Sequence, residues 1–176
     1  MRYPLLIALC CVTAPAFAAD LPTRKAGLWE VKINFARNAP QQTMQQCTDP
    51  TTDKMMTSSS GGMTNENCSK HDVVNSGNTY TMDSVCTAAS GRTLISHAVV
   101  TGSFDSGYTM NITTKGEAPP QPGEMAELSM TLEAKYLGAC KPDQKPGDII
   151  MPGGLKLNVT DMQRMRQNQQ GNAPAR

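Results

Sequence analysis

The stretch CSKHDVVNSGNTYTMDSVC, residues 68–86, predicts a β-hairpin that is closed at its open end by its own cysteines. The predicted turn is Ser76-Gly77-Asn78, a three-residue loop centred on Gly77. Cys68 and Cys86 are equally far from Gly77 along the chain, so this loop places them directly opposite each other. Opposed positions on antiparallel strands are close enough for a disulfide to form. We therefore take this hairpin as the element around which the rest of the chain is arranged.

The beginning of the chain predicts an export signal. Met1-Arg2 is a short positive region, Leu5 to Val12 is an apolar run, and Ala16-Phe17-Ala18 matches a small-x-small cleavage site. The apolar run is too short to span a bilayer, so we expect no stable membrane insertion after the signal is cleaved. The predicted organisation is a signal peptide at 1–18, a single β domain at 19–160 and a disordered polar tail at 161–176.

The charge balance argues against a nucleic-acid partner. The 176-residue chain carries 16 Lys and Arg and 15 Asp and Glu, and cleavage of the signal would remove Arg2. Proteins that bind nucleic acids or anionic membranes usually carry a clear excess of basic residues. We therefore expect neither kind of partner.

Four cysteines remain after the signal, and an even number in an exported chain favours disulfides over free thiols or a zinc site. If Cys68 pairs with Cys86, Cys47 is left to pair with Cys140. The second bridge would then close the sheet or clamp its two ends together. Four cysteines allow three connectivities, so the pairing rests on the predicted hairpin register.

Alternation of apolar and polar residues identifies the strands. In residues 25–35, Trp29, Val31, Ile33 and Phe35 share one face, and the lone tryptophan is expected to be a core residue. The same period of two recurs in residues 92–103, 108–114 and 125–136. After a break at 38–40, residues 41–47 are expected to form a more polar strand that returns alongside the first. Met82, Met110 and Met130 fall on the predicted apolar faces, where methionine is ordinary core filling.

Seven strands at short spacing and one weak helix, started by Thr48 or Asp49 with Pro50 at its first position, predict the fold class. It is all-β: an antiparallel meander of about seven strands in a curled sheet, with one short helix and two disulfides. The pattern leaves open whether the sheet forms a partial barrel or a sandwich.

The chain offers few candidates for catalysis. His71 and His97 are its two histidines, and neither lies in a known catalytic motif. His71 and Asp72 are neighbours on a predicted strand and therefore point to opposite faces. An enzyme, in particular a small hydrolase that uses His97 or His71 with nearby hydroxyl groups, is the alternative to a binding domain.

Methionine offers a second alternative. The chain has 12 methionines, whose thioethers are soft ligands that suit Cu(I). Met55, Met56 and Met63 cluster around a Ser/Gly-rich segment, and they are the candidates for a copper site. A protein-contact surface explains the same cluster equally well. We expect no cofactor.

Several landmarks resemble a family of exported bacterial proteins catalogued as domain of unknown function 3617. They are the opening segment at 25–31 (KAGLWEV), the central Cys68 with its Ser76-Gly77-Asn78 turn, and the closing segments at 137–140 (LGAC) and 145–148 (KPGD). Ala26 stands where the family usually has proline. The resemblance implies a small secreted or periplasmic bacterial domain, and it supplies no activity, substrate or site.

The function expected from these observations is that of a non-enzymatic periplasmic or secreted domain that binds a partner. The partner is either another envelope protein or a small apolar or amphipathic ligand held by the sheet. The expectation rests on a disulfide-linked, charge-balanced, methionine-rich scaffold that shows no catalytic motif.

Overall fold

The first strand of the chain lies in the middle of the sheet. The computed structural model describes residues 21–36, 39–59, 68–88, 90–117 and 126–171. Within them, β1 (Gly27–Phe35) lies between β2 (Gln42–Thr48) and β7 (Glu127–Gly138). The other elements are α1 (Pro50–Ser59), β3 (Cys68–Ser76), β4 (Thr79–Thr87), β5 (Thr93–Ser103), β6 (Gly107–Gly116), β8 (Asp148–Ile150), β9 (Lys156–Asn158) and α2 (Val159–Gly171).

The described strands form one antiparallel sheet in the order β3-β4-β5-β6-β7-β1-β2-β8-β9. The sheet is not closed, because β3 and β9 are its two ends. The predicted all-β antiparallel fold is thereby confirmed. The seven predicted strands are β1 to β7, and β8 and β9 are added after Cys140.

The hairpin of β3 and β4 differs from its predicted register by one residue. Its turn contains two residues, Gly77 and Asn78, and Gly77 has a positive φ of 64°. That register alone would place Cys86 opposite Ser69, because Ser76 pairs with Thr79. A β-bulge between Cys68 and Lys70 shifts the pairing and brings Cys68 opposite Cys86. The predicted three-residue turn is therefore wrong, whereas the Cys68–Cys86 disulfide is present, with its Cα atoms 3.8 Å apart.

The second disulfide joins Cys47 to Cys140, with a Cα to Cα distance of 5.6 Å. The expectation that this bridge closes the sheet or clamps its ends is wrong, because β2 and β7 are separated only by β1. The bridge crosses β1 at Leu28, which pairs with Cys47 on one side and Gly138 on the other. It therefore connects β2 to the segment that follows β7, across β1.

The Ser/Gly-rich residues that follow predict only a single turn for the helix that begins at Pro50, but α1 has 10 residues. Asp49 is its N-cap: Asp49 Oδ1 accepts a hydrogen bond from the Thr52 backbone N–H at 2.7 Å, and the Asp49 N–H donates to Thr52 Oγ1 at 3.0 Å. The backbone hydrogen bond from Thr52 lowers the pKa of Asp49. Thr52, Asp53 and Met56 are buried, so one face of the helix is anchored against the rest of the fold.

The tail expected to be disordered from residue 161 is instead helical as far as Gly171. Asn158 caps this helix, α2, because its Oδ1 accepts the Thr160 backbone N–H at 3.0 Å. The helix packs against α1 and β9, contacts that cannot be read from its polar composition. Residues 172–176 lie outside the described part of the chain, as does the predicted signal peptide at 1–18.

The core is centred on Trp29, which is 0% exposed, with Val31 and Ala134 beside it. Trp29 stands on the sheet face where the alternating pattern of β1 places its apolar residues. The predicted core role of the tryptophan is confirmed.

Candidate functional site

The strand registers align apolar side chains into two adjacent rows on the face that carries Trp29. The first row crosses six strands, and each member pairs directly with the next: Val73, Met82, Ala98, Ile112, Met130 and Phe35. The second row crosses five strands in the same way: Tyr80, Val100, Met110, Leu132 and Ile33. We call these eleven residues the apolar stripe.

Most of the apolar stripe is only half-buried. Val73, Ala98 and Val100 are buried, and the other eight side chains are of intermediate exposure. Neighbouring strands lie about 4.8 Å apart, so the six-strand row is roughly 24 Å long. No Asp, Glu, Lys or Arg belongs to the stripe, and three of its members are methionines, whose flexible thioethers adapt to different contact shapes.

A buried ion pair covers one end of this sheet face. Arg24 Nε donates to Asp53 Oδ1 at 2.6 Å, and the Arg24 backbone N–H donates to Asp53 Oδ2 at 2.8 Å. The Arg24 guanidinium lies 5.6 Å from the centre of the Trp29 ring, and Arg24 also contacts the Met56 sulfur at 3.8 Å. The pair thus fixes α1 over Trp29.

Aromatic rings continue the packing at the same end of the sheet. Tyr136 and Tyr108 lie 5.5 and 6.1 Å from Trp29 between ring centres, and Phe104 stacks on Tyr108 at 4.8 Å and meets Tyr80 edge-on at 5.5 Å. Burial raises the pKa of the Tyr108 phenol. This end of the face is therefore closed by packing.

On the other side of the stripe, the same face carries a row of hydroxyl groups. Ser84, Ser96 and Thr114 are directly paired across β4, β5 and β6, and His71 on β3 pairs with Ser84. The oxygens of Ser96 and Thr114 are 2.8 Å apart and hydrogen-bonded, although Ser96 is only 7% exposed. We call Ser84, Ser96 and Thr114 the hydroxyl row.

The opposite face of the sheet is polar. Glu30 pairs with Lys135 and Lys32 with Glu133 across β1 and β7, and Lys32 Nζ is 3.3 Å from Glu30 Oε1. These four side chains help to line a shallow depression of about 420 Å³ over Gly102 and Gly107. A second depression, of about 280 Å³, is lined by residues of both faces. They are Phe35, Ile112 and Met130 of the apolar stripe and their polar neighbours on the same strands.

The two histidines lie on opposite faces of the sheet. His71 faces the apolar side, and His97 faces the polar side, where its Nδ1 is 2.8 Å from Asp83 Oδ1. Both members of the His97 and Asp83 pair are about half exposed, and neither histidine lines the two depressions. The registers also place His71 and Asp72 on different faces. His97 therefore has the carboxylate partner of a catalytic base but lies outside both depressions.

The methionines proposed for copper divide between two parts of the chain. Met55 and Met56 lie on α1, and the Met56 sulfur accepts a hydrogen bond from Arg24. Met63 lies outside the described residues. Among the described residues, no group of three or more His, Cys, Asp and Glu side chains could hold a metal ion.

The chain belongs to the family described as "Protein of unknown function (DUF3617)", whose model matches residues 24–140. The matched segment contains the apolar stripe, the hydroxyl row and all four disulfide cysteines. No curated protein and no solved structure matches the chain. In the described part of the chain, no helix is long and apolar enough to cross a membrane.

Sequence reasoning found the stripe members of β1, β5, β6 and β7 strand by strand, because alternation reveals which residues share a face. In the hairpin it placed Met82 on an apolar face but did not assign Val73 or Tyr80. It missed the hydroxyl row as a unit, since one serine or threonine in a strand is unremarkable until neighbouring strands are in register. It also missed Arg24, because a lone arginine near the start of a domain carries no signal of burial.

Proposed function

We propose that this protein is a non-enzymatic binding domain of the bacterial cell envelope, periplasmic or secreted, and that it binds an apolar or amphipathic molecule on the apolar stripe. The two disulfides support an exported location, since disulfides persist in oxidising compartments. The observation that carries the binding proposal is the apolar stripe itself. It offers eight half-buried apolar side chains on one continuous surface.

Burial of the stripe's apolar surface favours binding. Removing apolar surface from water gains about 25 cal/mol per Å². A chain-shaped ligand laid along the stripe would contact side chains from six strands and would meet no charge that needs compensation. A row of about 24 Å suits an elongated apolar chain better than a compact ring system.

The test is binding of dodecanoate, below its micelle concentration, by isothermal titration calorimetry. A charge placed in the stripe, in Met110→Glu or Met130→Glu, is expected to weaken binding at least tenfold, because the ligand would have to desolvate a carboxylate. Matched controls are Asn111→Glu and Ser129→Glu, which place the same charge on the same strands but on the polar face. The controls are expected to bind like the parent protein.

Circular dichroism and thermal melting establish that each variant is folded before binding is compared. If the parent protein does not bind dodecanoate or any other C12 amphiphile, the proposal fails. Equal loss of binding in stripe variants and polar-face controls would also count against it. If the folded parent protein instead binds one envelope protein through the stripe, this result supports the other alternative from the sequence, a protein partner.

The enzyme alternative rests on the His97 and Asp83 pair. If the protein hydrolyses ester substrates and His97→Ala abolishes this activity, the enzyme hypothesis replaces the binding proposal. The copper alternative is tested by titration with Cu(I), where no binding at micromolar metal would end it.

A further inference from the structure

The hydroxyl row breaks the apolar pattern at the same level in three adjacent strands. On the face that carries Trp29, the apolar Tyr80 and Met82 of β4 lie next to Ser84. In β5, the apolar Val100 and Ala98 lie next to Ser96 in the same way. The same change occurs in β6, where Thr114 follows Met110 and Ile112. The strand registers bring the three changes into one line beside the first row of the stripe.

From this arrangement we infer that the hydroxyl row, with His71 at its end, binds the polar headgroup of an amphiphile whose chain lies on the apolar stripe, and that the headgroup is a carboxylate. This inference rests on the proposed function. It adds the chemical class of the ligand and the position of its polar end.

Hydrogen-bond counting supports an acceptor-rich headgroup. Each hydroxyl has one proton to donate, and the Ser96 and Thr114 contact uses only one of the two. The second proton is not used in that bond. A carboxylate oxygen could accept that proton, and hydrogen bonds to a charged acceptor are stronger than those between neutral groups. Ser84 and the His71 ring can supply further N–H or O–H donors along the same row.

Charge and distance point to the same class. Neither the stripe nor the hydroxyl row contains a carboxylate that could neutralise a cationic headgroup, and Asp72 faces the other side of the sheet. Side chains two positions apart on a strand are about 6.7 Å apart, so a headgroup on the hydroxyl row lies next to the first methylenes on the stripe. A long-chain carboxylate fits both surfaces at once.

The experiment compares dodecanoate with dodecyltrimethylammonium, which has the same chain and the opposite charge, by calorimetry below their micelle concentrations. The parent protein is expected to bind dodecanoate about tenfold more tightly, the size of effect that hydrogen bonds to a charged group produce. In the triple variant Ser84→Ala, Ser96→Ala, Thr114→Val this preference is expected to fall below about twofold, with the affinity for dodecyltrimethylammonium unchanged.

Thr113→Val is the matched control, because Thr113 neighbours Thr114 but faces the polar side with His97. It is expected to keep the full preference for the carboxylate. The inference is overturned if the parent protein binds both ligands equally, if the triple variant keeps the preference, or if it loses both ligands alike. In all three cases the parent protein binds C12 chains and the proposed function stands; binding of neither ligand by the parent protein defeats the proposed function itself.

Discussion

Trp29 combines an apolar and a polar role at one position. Its indole Nε1 donates to the Lys25 carbonyl oxygen at 2.8 Å, so the only polar atom of this fully buried side chain has a partner. The ring packs against Tyr108 and Tyr136 and lies under the Arg24 guanidinium. The tryptophan therefore connects the N-terminal segment, the sheet and α1.

Asp148 is a buried carboxylate, 2% exposed, that joins the loop before β8 to the start of α2. Its oxygens accept hydrogen bonds from Asn158 Nδ2 at 2.8 Å and from the Lys145 backbone N–H at 3.0 Å. Burial raises the pKa of Asp148, but the Asn158 and Lys145 hydrogen bonds and the charge of Lys156 outweigh it. The net pKa of Asp148 is below its usual value.

A carboxylate with a lowered folded-state pKa stabilises the fold above its unfolded-state pKa, about 3.9, and this contribution is lost as the pH falls through the folded-state pKa. Asp148→Asn is therefore expected to cost about 1.5–3 kcal/mol at pH 7, the range for hydrogen bonds to a charged group. The difference from the parent protein should shrink steadily below about pH 4. Urea denaturation at several pH values measures it.

Asp143→Asn is the matched control for Asp148. Asp143 Oδ2 is also near Lys156 Nζ, at 3.4 Å, but the Asp143 side chain is 73% exposed. Its substitution is expected to leave stability within about 0.5 kcal/mol of the parent protein. A pH-independent loss in Asp148→Asn, or an equal loss in the control, would contradict this account.

At the scale of the elements, the hairpin of β3 and β4 depends on one extra residue. Ser69 is the residue that the bulge leaves out of the pairing, and its Oγ donates to the Val85 carbonyl oxygen at 3.3 Å. Without the bulge, the turn at Gly77 and Asn78 would place the residue before Lys70 opposite Cys86. With this two-residue turn, Cys68 can face Cys86 only because the bulge accommodates one extra residue, Ser69.

Deletion of Ser69 is therefore expected to leave the Cys68–Cys86 disulfide intact. The deletion moves Cys68 into the position before Lys70, where the regular register already faces Cys86. Peptide mapping without reduction would detect the linkage, and thermal melting would measure stability. Insertion of a second residue after Ser69 is the control, and it should impair disulfide formation because two extra residues must be absorbed. Loss of the disulfide in the deletion variant would refute the assigned register.

At the scale of the whole molecule, the two disulfides have different reach. The Cys68–Cys86 bridge closes a hairpin over a separation of 18 residues, whereas the Cys47–Cys140 bridge spans 93 residues and connects β2 to the segment after β7. A disulfide stabilises the fold more when it restrains a longer segment of the unfolded chain. The longer bridge is thus expected to contribute more to stability.

Paired serine substitutions measure the difference. In the chain-entropy model, loss of the Cys68–Cys86 bridge costs about 3 kcal/mol and loss of the Cys47–Cys140 bridge about 4.6 kcal/mol. Guanidinium denaturation of the two double-serine variants under one set of conditions gives both values. A larger loss in the hairpin variant would reverse the expected order and indicate that the unfolded chain retains structure around the long bridge.

The sequence by itself determined the strands β1 to β7 and the faces on which most of their apolar residues lie. Alternation with period two identified β1, β5, β6 and β7, and the turn and cysteines identified β3 and β4. The strand pattern also placed Trp29, Met82, Met110 and Met130 on apolar faces and separated His71 from Asp72. These are local properties, because the direction of a side chain on a strand depends only on its position. The Cys68–Cys86 pair was also found, although through a turn that proved to be one residue too long.

Only the tertiary structure decided how the strands and helices combine. The position of β1 between β7 and β2, the burial of Arg24 against Asp53, and the alignment of Ser84, Ser96 and Thr114 each depend on pairing between segments far apart in the chain. Helix α2 is capped by Asn158 and packs against α1 and β9, and this packing stabilises a helix whose side chains are mostly polar. Long-range register and packing leave no local pattern, and for that reason the hydroxyl row becomes visible only in the assembled sheet.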